Sequence, residues 1–211
     1  SIAVEWKWQK RSIKLIDTAG LRRPSRVTEK LEKLSTSNAL QAVRFAHVAI
    51  LVIDGSVLAE RQDLTIANYI AEEGRALIIA VNKWDLVQDP SKDIKALASR
   101  IERSLPQVKD VPIVKLSALN GDGVNSLMPA IIKVFAIWNK RLSTGPLNRW
   151  LKDVIERHPP PLSRGRRIKL RYITQVKARP PTFIIFTNRP SGLPKAYHSF
   201  LINGLRKQFG L

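Results

Sequence analysis

Cysteine is absent from all 211 residues, which excludes disulfides and thiolate metal ligands. Histidine is scarce: His47, His158 and His198 lie far apart, without the short spacings of a metal site, and read as surface or packing residues. No apolar run approaches the roughly 18 residues that a membrane span requires, and the first residues lack the charged, apolar and small-residue order of a signal peptide. A soluble, cytoplasmic protein that makes no membrane contact is the expectation. Acidic residues are also few, with 17 Asp+Glu against 36 Lys+Arg and a formal net charge of +19. The deficit is uneven. Residues 1–140 hold 21 Lys and Arg against 15 Asp and Glu, whereas residues 141–211 hold 15 against 2. Such a field attracts polyanions, nucleic acid first and acidic membrane surfaces second.

With 44% apolar and 25% charged residues, the chain has the composition of a globular protein long enough for one α/β core and a smaller module. Residues 2–8 and 12–16 pattern as strands. The runs VAILVID (48–54) and ALIIAVN (76–82) are continuously apolar, as strands buried on both faces of a parallel sheet are, and PIVKLS (112–117) adds a further strand. Helical patterns fall at about 38–46, 60–73, 91–104 and 124–141, with Gly74 as a left-handed stop and Ser91 as an N-cap. Strand and helix in alternation imply a doubly wound, mostly parallel sheet over residues 1–142. After the turn-rich RLSTGPL, residues 143–211 read as an α+β module. It comprises a helix at about 146–157, a basic strand RRIKLRYI (166–173), an apolar strand FIIFTN (183–188) and a helix at about 195–209.

Ligands of doubly wound sheets bind beyond the carboxyl ends of the strands, so the polar strand ends carry the chemistry. Three stand out: Asp17-Thr18-Ala19-Gly20, Asn82-Lys83-Trp84-Asp85 and Ser117-Ala118-Leu119. A carboxylate such as Asp85 accepts two parallel hydrogen bonds from the N1-H and 2-amino group of guanine, a donor pair adenine does not present. Asn82 can donate to the base and tie the loops together, the stem of Lys83 can lie along the ring, and a backbone N–H near Ala118 can donate to the 6-oxo group. Asp17 can hold Mg²⁺ through a water, and Gly20 lets its backbone approach a terminal phosphate. Trp84 reads as a packing residue, and Trp6, Trp8, Trp138 and Trp150 as core or interface. Tyr172, Phe183 and Phe186 alternate on strands and read as core.

DTAG, NKWD and SAL resemble the third, fourth and fifth motifs of translation-factor-like P-loop GTPases. With DTAGLRR, RALIIAVNKWD and the stretch RWLKDVIERHPPPLSRGRRIKLRYITQVKARPPTFIIFTNR, the chain resembles more narrowly the bacterial Der (EngA) GTPases, which carry two G domains and a C-terminal KH-like domain. The resemblance implies a Ras-like GTPase sheet over residues 1–142, as the second G domain, and a KH-like domain over 143–211. It implies GTP/GDP and Mg²⁺ as ligands and slow hydrolysis helped by K⁺. It also implies assistance in assembling the large ribosomal subunit, whose rRNA and the first G domain of the same protein would be the partners.

Nothing matches G-x-x-x-x-G-K-[ST], the phosphate-cradling loop, and the glutamine that many Ras-like GTPases place after the DxxG glycine is Leu21 here. The chain therefore reads as part of a larger protein, without its first central strand and without a last strand in the KH-like domain, and not as a stable monomer by itself. Arg22, Arg23, Arg26 and the run through Lys33 read as switch II. No GxxG clamp occurs after residue 141, so RNA contact would come from Arg164, Arg166, Arg167, Lys169 and Arg171. Two other classes fit the same residues: a noncatalytic basic rRNA-binding scaffold, and another GTPase with an RNA-binding tail.

Overall fold

The computed structural model describes residues 2–18, 40–105, 110–163 and 165–211. They divide into two units, Ser1–Val134 and Phe135–Leu211. In the first, β1 (Ile2–Trp8) and β2 (Arg11–Asp17) form an antiparallel hairpin, turned by Gln9 and Lys10 at positive φ. β3 (Val48–Asp54), β4 (Ala76–Asn82) and β5 (Ile113–Lys115) form a separate parallel sheet in the order β3-β4-β5, preceded by helical residues 40–45. Helices α1 (Arg61–Glu72), α2 (Pro90–Ser104) and α3 (Leu127–Trp138) connect and follow these strands.

The apolar run of β4 is explained by burial on both faces. Leu77, Ile79 and Val81 point to one side, where Ala67, Ile70, Leu97 and Ile101 of α1 and α2 complete a core; Ile78 and Ala80 point to the other, joined by Val114, Leu116 and residues of α3. Each such aliphatic side chain contributes about 1.5–3 kcal/mol by leaving water. This is the doubly wound arrangement that strand–helix alternation implies. The β1–β2 hairpin is less covered: Val4, Trp6 and Leu15 are exposed, as is Val52 of β3, so of the two readings of Trp6, core or interface, the first does not hold.

Gly74 stops α1 as expected. It has a φ of +67°, and the N–H groups of Gly74 and Arg75 donate to the carbonyls of Ala71 and Ile70, closing the helix end. The cap of α2 differs from expectation. Asp89, not Ser91, accepts from the Lys92 N–H at 3.1 Å, because Pro90 pre-sets the first helical position and leaves Ser91 inside the first turn.

In the second unit, α4 (Thr144–Arg157) and α5 (Lys195–Phe209) cover one face of an antiparallel hairpin, β6 (Leu170–Lys177) with β7 (Thr182–Thr187). The core joins Leu147, Trp150 and Leu151 to Ile168, Leu170, Ile173, Leu201 and Leu205. Asn148 clamps helix to strand: its Oδ1 accepts from the Ile173 N–H at 3.0 Å and its Nδ2 donates to the Ile173 carbonyl at 2.9 Å. Two expectations are corrected. The strand begins at Leu170, so Arg166, Arg167 and Lys169 precede it. Tyr172 and Phe186 are exposed at 42% and 51%, whereas Phe183 packs against the core. Among the described residues no helix is long and apolar enough to cross a membrane.

Candidate functional site

The carboxyl ends of β3, β4 and β5 lie side by side because the sheet is parallel, with Asp54 in register with Asn82. Asn82 joins two loops. Its Oδ1 accepts from the Lys83 N–H at 2.8 Å and from the Ala118 N–H at 2.9 Å, so the NKWD loop and the SAL loop share one side chain. The Trp84 N–H donates to the Leu116 carbonyl at 3.1 Å, a second tie between the same loops. Lys83 sits in the left-handed region at φ 58°, which turns the chain sharply after β4.

Beside this junction opens a recess of about 300 Å³ lined by Trp84, Asp85, Lys115, Leu116, Ser117, Asp122 and Gly123. The Asp85 carboxylate is exposed at its edge. Ser117 is buried at its base, its N–H donating to the Asp122 carbonyl at 2.9 Å and its Oγ accepting from the Asn120 N–H at 3.3 Å. The Lys115 ammonium stands over the Trp84 ring at 5.7 Å, which holds the indole as one wall and supports its reading as a packing residue. A planar ligand entering here meets a carboxylate, an indole edge and backbone amides.

The backbone N–H expected near Ala118 narrows to its neighbour. The Ala118 N–H is committed to Asn82, and the amide of this loop without an intramolecular acceptor among the described residues is that of Leu119, which is 91% exposed. The Lys83 stem ends in an ammonium whose Nζ lies 2.7 Å from Asp54 Oδ2. Sequence reasoning missed Asp54. Nothing in the sequence gives the register that sets the end of β3 beside the end of β4.

The Lys83 ammonium, helped by the Ser56 hydroxyl and opposed by partial burial, lowers the Asp54 carboxyl from 3.8 to about 2. Because the folded value lies below the unfolded one, the pair's contribution to stability is complete above pH 3.8 and is lost as pH falls through about 2. Lys83→Ala is expected to return the Asp54 midpoint toward 3.8, read from its carboxyl carbon resonance during an acid titration. An unchanged midpoint would show that Lys83 is not the cause.

Asp17 ends β2 with an exposed carboxylate, followed by Thr18, also exposed. The hairpin that carries them is not hydrogen-bonded to the β3-β4-β5 sheet, so the structure unites the Asn82 and Ser117 loops and leaves Asp17 on a separate sheet. Ala19, Gly20, Leu21, the expected switch II residues and Arg164 lie outside the described residues.

Residues 1–136 match the family model of the elongation factor Tu GTP binding domain, and residues 141–211 match that of the KH-domain-like C-terminal part of EngA bacterial GTPase enzymes. The chain therefore belongs to the translation-factor-type GTP-binding domains. Within that class it belongs to the Der (EngA) family: it is 52% identical over all 211 residues to the GTPase Der of Parvibaculum lavamentivorans and to that of Brucella anthropi. It spans 45% and 44% of the length of those relatives. Among solved structures, it is similar to a probable GTP-binding protein engB, with 23% identity and a TM-score of 0.51 over 63% of this chain and 81% of that one. It is also similar to Era in complex with MgGDPNP and nucleotides 1506–1542 of 16S ribosomal RNA, with 18% identity and a TM-score of 0.51 over 88% and 64%. These two likenesses establish the Ras-like fold.

Proposed function

We propose that the full-length protein hydrolyses GTP as a switch in the assembly of the large ribosomal subunit. This chain would supply the guanine-reading loops and a basic domain that contacts rRNA. The observation that carries the guanine reading is the Asn82 bridge, which joins the NKWD and SAL loops beside a recess edged by Asp85. Asp85 takes the donor pair of the base, Asn82 Nδ2 is left to donate to its acceptor edge, and the Leu119 amide is free for the 6-oxo group.

Mg²⁺ keeps several waters and takes the rest of its ligands from one or two carboxylates and substrate phosphates, a demand that the lone exposed Asp17 fits through a bridging water. Asp17, exposed at the carboxyl end of β2 where the DTAG segment begins, is the residue that would hold the ion. When bound, Mg²⁺ neutralises charge on the phosphates. Assistance by K⁺, a cytoplasmic location and docking against a first G domain of the same protein belong to the same proposal.

RNA association is supported by the net charge of residues 141–211 and by Arg166, Arg167, Lys169 and Arg171, all exposed. Era, a protein of the same fold, was crystallised with a fragment of ribosomal RNA. The deciding experiment is a calorimetric titration of the full-length protein with GDP and ADP in the presence of Mg²⁺. GDP is expected to bind about 10⁴-fold more tightly, since a base that leaves a carboxylate unpaired forfeits charge-assisted bonds. Equal affinities would overturn the assignment.

A further inference from the structure

Antiparallel sheets with one solvated face normally turn polar side chains outward. The β6–β7 hairpin does not. Its inner face carries Leu170, Ile173 and Gln175 against the helices, but its outer face exposes Tyr172, Ile184 and Phe186 at 42%, 45% and 51%. Tyr172 and Phe186 are direct cross-strand partners with ring centroids 5.8 Å apart, and the next pair on the same face is Thr174 with Ile184. Two register shifts in β6 leave Arg171 and Val176 as extra, unpaired residues. The first shift exposes Arg171 and Tyr172 together, a cation beside an aromatic ring, where strict alternation would separate them. Lys169 and Lys177 are exposed at the two ends of the strand. From His158 to Leu211 the sequence contains eleven Lys and Arg and no Asp or Glu.

We propose that this face stacks the bases of single-stranded RNA, with Tyr172 and Phe186 as the platform and Lys169, Arg171 and Lys177 as phosphate contacts. The inference rests on the RNA association proposed above and names the surface responsible. A paired aromatic platform selects flat π-surfaces, and a surround of cations without carboxylates selects a polyanion; unpaired RNA satisfies both at once. Duplex RNA does not, because its bases are stacked on each other. An apolar protein partner would gain nothing from so many uncompensated cations.

The test measures affinity of the full-length protein for a fluorescent single-stranded 12-nucleotide RNA and for the same sequence as a duplex, over a salt series. The single strand is expected to bind more tightly. Replacing both rings (Tyr172→Ala with Phe186→Ala) should weaken that binding at least about tenfold, from the cost of one to two lost stacks. GDP affinity, melting temperature and salt slope should stay those of the wild type. Tyr172→Trp should retain binding, which a merely structural role for the phenol would not permit. Arg171→Gln should lower the salt slope by about one. Wild-type RNA affinity in the folded double variant would overturn the platform while leaving RNA association standing. Failure of the wild-type protein to bind any RNA would overturn both. Protection of the two rings from hydroxyl radicals in RNA-free protein would show a protein partner on this face and also overturn it.

Discussion

Asp85→Asn is expected to abolish guanine preference in the full-length protein and to confer affinity for xanthosine diphosphate. The wild-type carboxylate accepts two hydrogen bonds from the base, each contributing about 1.5–3 kcal/mol when charge-assisted, so their loss should weaken GDP binding by roughly 10² to 10⁴. Xanthine carries a 2-oxo group where guanine carries an amine, and an asparagine amide can donate to it. The exchange changes one atom on an exposed side chain, so the fold should be unaffected. The measurement is a pair of titrations, GDP and xanthosine diphosphate, on both proteins. A variant that still prefers GDP would remove Asp85 from the site.

Gly123→Ala is expected to cost the G-type unit about 3 kcal/mol or more, through left-handed strain and a backbone collision together. Gly123 has a φ of +72°, and a Cβ there would stand 2.1 Å from the Lys115 carbonyl oxygen and 3.2 Å from the Leu116 Cα. These are backbone atoms of β5 and its end, which cannot rotate aside. Leu116 in turn accepts from Trp84 and donates to Val81, so relief of the collision would displace the NKWD loop and weaken GDP binding as well. Gly121→Ala is the control. Gly121 is also left-handed, at φ +82°, but nothing lies within 4 Å of its Cβ position, so only the conformational term of about 1 kcal/mol should appear. Urea unfolding of the two variants separates strain from collision; equal losses would show that the β5 contact does not matter.

Much of this architecture was legible in the sequence. An uninterrupted apolar run such as Ala76–Val81 can be stable only when both strand faces are covered, and the structure divides those side chains between two cores. The loop-tying role of Asn82 followed from an amide at the end of such a strand. The Lys83–Asp54 pair was not legible, because it depends on which strands are neighbours and in what register. The start of β6 was misread because RRIKL alternates as well as any strand does. The exposure of Tyr172 and Phe186 escaped for a related reason: a period-two pattern identifies two faces but does not say whether the second one is covered.

The double acceptance by Asn82 Oδ1 has one more consequence. With the oxygen held by two backbone N–H groups, the amide cannot flip, and its NH₂ end is aimed outward before any ligand arrives. Nothing need be frozen at that position on association, a saving of about 0.5–1.5 kcal/mol for a side chain of this kind. Exchange of the amide for a carboxylate at residue 82 would keep the framework and remove the outward donor, separating the architectural role of the residue from its recognition role.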